Sequence, residues 1–144
     1  MQHITRRKPR ITISQTDYDK LSNLAAAAEH RNPEIAAGLT TELDRARIVS
    51  DGKIGPSVVR MGSTVTYMVD GSHSKTVTLV YPGQADIEDG RISITTPIGT
   101  ALIGLKTGQS ISYATRNGQI HDLTVVEASH GKETALENDV RGQF

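Results

Sequence analysis

Two hydrophobic rhythms divide this chain of 144 residues. Between Ser14 and Ala46 the apolar positions recur at helical spacing, and from Val58 onward they alternate with polar ones, which is the period of a strand. Tyr18, Leu21, Leu24, Ala25 and Ala28 make one stripe on a first helix, helped by the strong formers Ala25 to Ala28. Ser14, with Asp17 three residues on, supplies its N-cap and a near capping box, and the helix is expected to stop near His30. Asn32, Pro33 and Glu34 then open a second helix with a cap, a proline at the first position and an acid in the first turn. Its stripe is Ile35, Leu39, Leu43 and Ala46. Two such stripes hide most simply against each other, so residues 14–48 are read as an antiparallel hairpin with arms of ~15 residues, or ~22 Å each.

Residues 49–57, VSDGKIGPS, contain two glycines and a proline and read as a linker to a second unit over 58–128. Strands are expected at Ser63 to Val69, Thr76 to Tyr81, Arg91 to Thr95, Ser110 to Thr115 and Gln119 to Glu127. Asp70-Gly71 and Asn117-Gly118 are the turn signals. The unit is organised around Arg91 to Ile111, where a strand runs into Pro97, a short helix follows, and Gly104 ends it. Gly108 then turns the chain into the next strand. The fold class is α+β: a helical hairpin followed by a small, mostly antiparallel sheet carrying one short helix. A fragment beginning at Val58 is expected to fold alone, because the linker separates two apolar systems.

Composition narrows the function classes. Sixteen basic and 16 acidic residues cancel, so no whole-molecule field draws the chain to nucleic acid or lipid. Residues 1–13 begin as a basic arm, with Arg6, Arg7, Lys8 and Arg10, whose simplest role is solubility and whose alternative is contact with phosphate or an acidic protein face. With no cysteine there is neither a disulfide framework nor a thiol nucleophile. The basic start leads into alternating Ile11-Thr12-Ile13, unlike a signal peptide, and no apolar run approaches a membrane span, so a cytoplasmic protein is expected. Residues 129–144 carry no apolar stripe and read as a disordered tail.

Candidate chemistry is sparse. Gly99 to Thr107 nearly matches a phosphate-binding loop, but Leu105 stands before the lysine, and Ala101-Leu102-Ile103 reads as a buried helical face. The five histidines, at 3, 30, 73, 121 and 130, show no i, i+4 pair, so neither a metal nor another cofactor is expected. Ser72-His73-Ser74 beside Asp70 reads as a turn, since adjacent residues rarely converge as a triad. Asp86, Glu88 and Asp89 read as a solvated acidic turn, lacking regular ligand spacing.

The run ADIEDGRISITTPIGTALIGLKTGQSI, Ala85 to Ile111, resembles the C-terminal domain of the Gre transcript-cleavage factors and, still more, their shorter relatives, the "regulator of nucleoside diphosphate kinase" (Rnk) family. Glu42-Leu43-Asp44-Arg45-Ala46 resembles the end of the Rnk hairpin, and MGSTVTY, Met61 to Tyr67, extends the likeness to roughly residues 11 to 127. Gln109 departs from it, standing where the family usually has an acid. The resemblance implies an FKBP-like arrangement of the sheet and a short coiled-coil hairpin.

It also implies a partner. In Gre factors, acids at the tip of a long coiled coil reach through the secondary channel of RNA polymerase and help hold a catalytic magnesium. Here the tip offers Glu29, His30, Arg31 and Glu34, although Glu34 is already explained by the helix dipole and Glu29 by a helix surface. Thr95, Thr96, Pro97 and Ile98 match the segment by which the Gre domain grips its polymerase, yet Pro97 as helix opener and Ile98 as core explain themselves structurally. The expectation is a non-enzymatic regulator of transcription elongation that binds RNA polymerase at the secondary channel entrance and touches nucleic acid only through it. No small-molecule substrate, catalytic residue or membrane partner is expected. A peptidyl-prolyl isomerase or chaperone on an FKBP-like fold is one rival, and a direct regulator of nucleoside diphosphate kinase is another.

Overall fold

The computed structural model describes residues 9–115 and 117–130. Most of the basic arm and tail, and Arg116 in the Asn117-Gly118 turn, lie outside the described residues. The two amphipathic segments form α1 (Gln15–Ala28) and α2 (Pro33–Asp44). Ser14 Oγ accepts the Asp17 N–H at 3.2 Å, the capping bond its spacing predicts. Asn32 holds the N-cap position of α2 without a side-chain bond, so Pro33 and the first-turn Glu34 mark that end by themselves. Leu21 and Ala25 of α1 are buried, as are Leu39 and Leu43 of α2.

The hairpin is closed at its base by two short strands that periodicity had not predicted. β1 (Thr12–Ser14) and β2 (Arg47–Val49) pair in parallel, with Ile13 opposite Ile48. Ile11 and Ile13, read from sequence as the end of the basic arm, are 0% and 1% exposed. Their alternation with Thr12 was too short to score as a strand, and only the partner segment after α2 makes it one.

The second unit is a five-stranded sheet of β3 (Ser63–Val69), β4 (Lys75–Val80), β5 (Arg91–Ser93), β6 (Ser110–Ala114) and β7 (Ile120–His130), in the order β5-β4-β3-β7-β6. All neighbours are antiparallel except β4 and β5. In the turn after β3, Asp70 and Gly71 both take left-handed φ, 53° and 75°. Asp70 tolerates this because its carboxylate accepts the Asp122 N–H at 2.8 Å and His121 Nδ1 at 2.6 Å, which staple the turn to β7. The short helix α3 (Pro97–Leu102) crosses between β5 and β6 with Pro97 in its first turn.

One apolar cluster runs through both units. Leu21, Leu39 and Leu43 of the hairpin join Ile11 and Ile13, then Val59, Ile94, Leu102, Ile103 and Leu105, and reach Leu123 and Val125 of β7. The sequence reading of two self-contained apolar systems is therefore corrected, because the base of the hairpin is seated in the sheet domain's core. Residues 49–57, expected as a bare linker, are tied in as well. Asp51 opens a 3₁₀ turn over Asp51–Lys53, and its carboxylate accepts the Thr16 N–H at 3.0 Å and the Thr16 hydroxyl.

Candidate functional site

The corner after β5 is built by hydroxyls. Ser93 Oγ accepts the Thr95 N–H at 3.0 Å and meets Thr95 Oγ1 at 2.7 Å. Thr96 Oγ1 donates to the Ser93 carbonyl at 2.8 Å and accepts the Gly99 N–H at 3.0 Å, so this one side chain both ends the strand and caps the helix. Thr100 Oγ1 then reaches back to the Ile94 carbonyl at 2.7 Å. The turn is tight enough that a Cβ on Gly99 would sit 2.2 Å from the Ser93 carbonyl oxygen. Pro97, whose missing N–H costs nothing at the first helical position, is thus held half-exposed on a stiff corner.

That corner forms one wall of a groove of about 480 Å³. Thr95, Pro97 and Thr100 line it together with Glu34, Ile35, Gly38 and Thr41 of α2, and so do Tyr113 on the edge strand β6 and Thr115 just after that strand. Of the four residues singled out in the sequence, Thr95 and Pro97 line the groove. Thr96 is occupied by the cap, and Ile98 is packed against the core. The tip residues separate similarly: Glu29, His30 and Arg31 are exposed at the end of the hairpin, whereas Glu34 belongs to the groove wall. Among the described residues no group of three or more His, Cys, Asp or Glu side chains is placed to hold a metal ion.

The base of the hairpin explains the Glu42 to Ala46 signature physically. Glu42, only 4% exposed, accepts Arg45 Nε at 3.0 Å and Nη2 at 2.8 Å, while Arg45 Nη1 donates to the Pro9 carbonyl. An acid near the end of α2 is thereby neutralised by the cation three residues on, and that cation pins the incoming chain. Gln109 also has a defined task, since its Oε1 accepts the Lys106 N–H at 2.9 Å and closes the turn into β6. An amide oxygen serves there as well as a carboxylate does. In the acidic turn, Arg91 lies 3.6 Å from Asp86 and 3.2 Å from Asp89, so the acids are spanned by a neighbouring cation.

Sequence reasoning missed the polar contacts beneath the hairpin. Asp17 Oδ2 accepts the Met61 N–H at 3.0 Å. Burial raises the Asp17 pKa above 3.8, against the opposing pull of the Met61 hydrogen bond and of Arg60. Tyr81 is pushed up to about 12 by burial and by the charge of Asp17, and its hydroxyl is buried without a hydrogen-bond partner among the described residues. The signal available in sequence was Asp17 itself, which was read only as half of a capping box.

Comparison with known proteins agrees with this architecture on both sides of the junction. Residues 54–130 match the family model described as transcription elongation factor, GreA/GreB, C-term, and residues 9–49 match the Rnk N-terminus. The "Regulator of nucleoside diphosphate kinase" of Escherichia coli strain K12 is 32% identical over 130 residues, covering 89% of this chain and 95% of that protein. The transcription elongation factor GreA of Nitrobacter hamburgensis is 34% identical over 118 residues, covering 79% of this chain and 75% of its own. Among solved structures, a prokaryotic transcription elongation factor GreA/GreB from Nitrosomonas europaea superposes with a TM-score of 0.66 at 35% identity, over 85% of this chain and 100% of that one. The chain belongs to the Rnk family, relatives of the GreA/GreB transcription elongation factors whose C-terminal domain it carries.

Proposed function

We propose that this protein regulates transcription elongation by docking on RNA polymerase at the entrance of the secondary channel, without stimulating transcript cleavage. The Thr95 to Pro97 corner grips the polymerase and the hairpin enters the channel mouth. The observation that carries the second half of this reading is length. Helices α1 and α2 have 14 and 12 residues. At ~1.5 Å per residue they reach about 21 Å and 18 Å, short of the long coiled coil by which the resembled Gre factors deliver acids to the active centre. Metal coordination needs oxygen within ~2.0–2.6 Å, so a carboxylate that stops short contributes nothing to the chemistry.

A stalled, backtracked elongation complex incubated with excess protein and magnesium is expected to keep its RNA at full length. The same protein is expected to slow cleavage stimulated by a Gre factor, because the two compete for one entrance. Rapid shortening of the RNA, abolished by Glu29→Ala, would overturn the reading. Docking itself is tested by Pro97→Ala and Thr95→Lys, which are expected to weaken binding to core polymerase while moving Tm by no more than a few degrees. Unchanged binding by both would move the docking surface elsewhere. A prolyl isomerase is the less supported alternative, since Tyr113 is the one aromatic among the described residues lining the groove and a proline ring calls for an aromatic-walled pocket.

A further inference from the structure

The charged residues that line the groove, among those described, are both acids: Glu34 and Glu42. Glu42 is buried and held by Arg45 at 2.8 Å. Glu34 is exposed and enters none of the ion pairs of the described residues. Around it the walls are apolar or carry hydroxyls, with Ile35, Pro97, Ala101 and Tyr113 among them. A volume of about 480 Å³ falls within the range of sites that hold a ligand or an anchoring side chain. A lone carboxylate in such a groove is complementary to a cation carried on an apolar segment, and closing the groove removes water and strengthens the pair.

We infer that the groove between α2 and the Pro97 corner receives a segment of the polymerase surface presenting an apolar strip and one lysine or arginine, and that Glu34 pairs with that cation. The inference rests on the docking reading above and supplies the chemistry of its partner. It makes Glu34 a docking residue, so the hairpin and the sheet domain grip the partner together and the groove sets how far the tip advances. Gly38 fits the same role. It lines the groove, and a Cβ built on it meets nothing within 4 Å, which leaves that part of the α2 wall open to an incoming side chain.

The test is binding of the full chain to core RNA polymerase, followed by fluorescence anisotropy over a series of salt concentrations. Glu34→Gln is expected to bind about tenfold more weakly at low salt, the loss typical of one charge-assisted hydrogen bond, with the gap closing as salt rises. Gly38→Leu, which plugs the groove while removing a helix-weakening glycine, is expected to raise Tm and still lose binding. Glu127→Gln, an exposed acid on β7 outside the groove, serves as the charge control. Binding of Glu34→Gln and Gly38→Leu at the level of the unaltered protein would overturn the groove and leave the docking reading standing. An equal loss in Glu127→Gln would show a general field and overturn the pairing. Failure of the unaltered protein to bind polymerase would remove the docking reading and the inference together.

Discussion

Asp17 and Met61, 44 positions apart, are joined by a hydrogen bond of 3.0 Å from the Met61 N–H to the buried Asp17 carboxylate. The first turn of the hairpin is thereby fixed to the segment entering β3. Asp17→Ala leaves that buried N–H unpaired and is expected to cost about 1–3 kcal/mol, read as a lower urea midpoint. Asp17→Asn keeps an acceptor in place and is expected to lose much less. Equal losses in the two variants would assign the effect to charge and discard the hydrogen bond as its cause.

The same carboxyl gives stability an unusual pH dependence. Its folded pKa lies above 3.8, chiefly through burial, so the folded state binds this proton more tightly than the unfolded one. Stability from this group therefore rises as pH falls through the folded pKa toward the unfolded value, and is lost again as pH rises. Asp51 and Asp70 act in the opposite sense. Their pKa values are held below 3.8, by the Thr16 hydroxyl and N–H in one case and by the Asp122 N–H and His121 in the other. Their contribution is present above the unfolded pKa and disappears as pH falls through the folded one. Tm measured from pH 7 to pH 3 is expected to hold or rise before it drops, with Asp17→Asn removing the rise and keeping the drop. A profile identical in both proteins would contradict the assignment.

Tyr81 carries a cost that can be removed. Its hydroxyl is buried with no hydrogen-bond partner among the described residues, and the Asp17 charge helps burial push its pKa to about 12. Tyr81→Phe deletes the unsatisfied oxygen and keeps the ring, so stability is expected to be unchanged or to increase by up to about 1–3 kcal/mol. A clear loss in calorimetry would reveal a role for the hydroxyl that its surroundings do not indicate.

Two glycines mark where backbones approach most closely. A Cβ on Gly99 would lie 2.2 Å from the Ser93 carbonyl oxygen, and one on Gly104, at φ +83°, would lie 2.8 Å from Ile11 Cβ. Gly99→Ala and Gly104→Ala are each expected to cost about 2–4 kcal/mol, from overpacking in both and left-handed strain in the second. Gly83→Ala, where the added methyl meets nothing within 4 Å, is the control and should stay within about 0.5 kcal/mol. Chemical denaturation of the three variants decides the matter, and a tolerated Gly99→Ala would mean that the corner is looser than its hydrogen bonds imply.

Much of this molecule was determined by the sequence alone, because its signals were local. Ser14, Pro33 and Pro97 set helix starts through capping and the missing proline N–H, and alternating residues set the strands of the sheet within a residue or two, except that β7 runs three residues past the expected Glu127 to His130. The Asp70-Gly71 turn was legible for the same reason: glycine and aspartate accept left-handed φ. What escaped was whatever required a partner distant in the chain. The Ile11 to Ile13 segment becomes a strand only when Arg47 to Val49 lies beside it, and it is buried only because Gly104 leaves room for Ile11. Glu34 reads as a tip acid along the chain, and tertiary packing alone makes it line one groove with Pro97. Local propensity depends on near neighbours and is written in order along the chain, whereas a groove or a buried carboxylate depends on surfaces that meet only after the chain has folded.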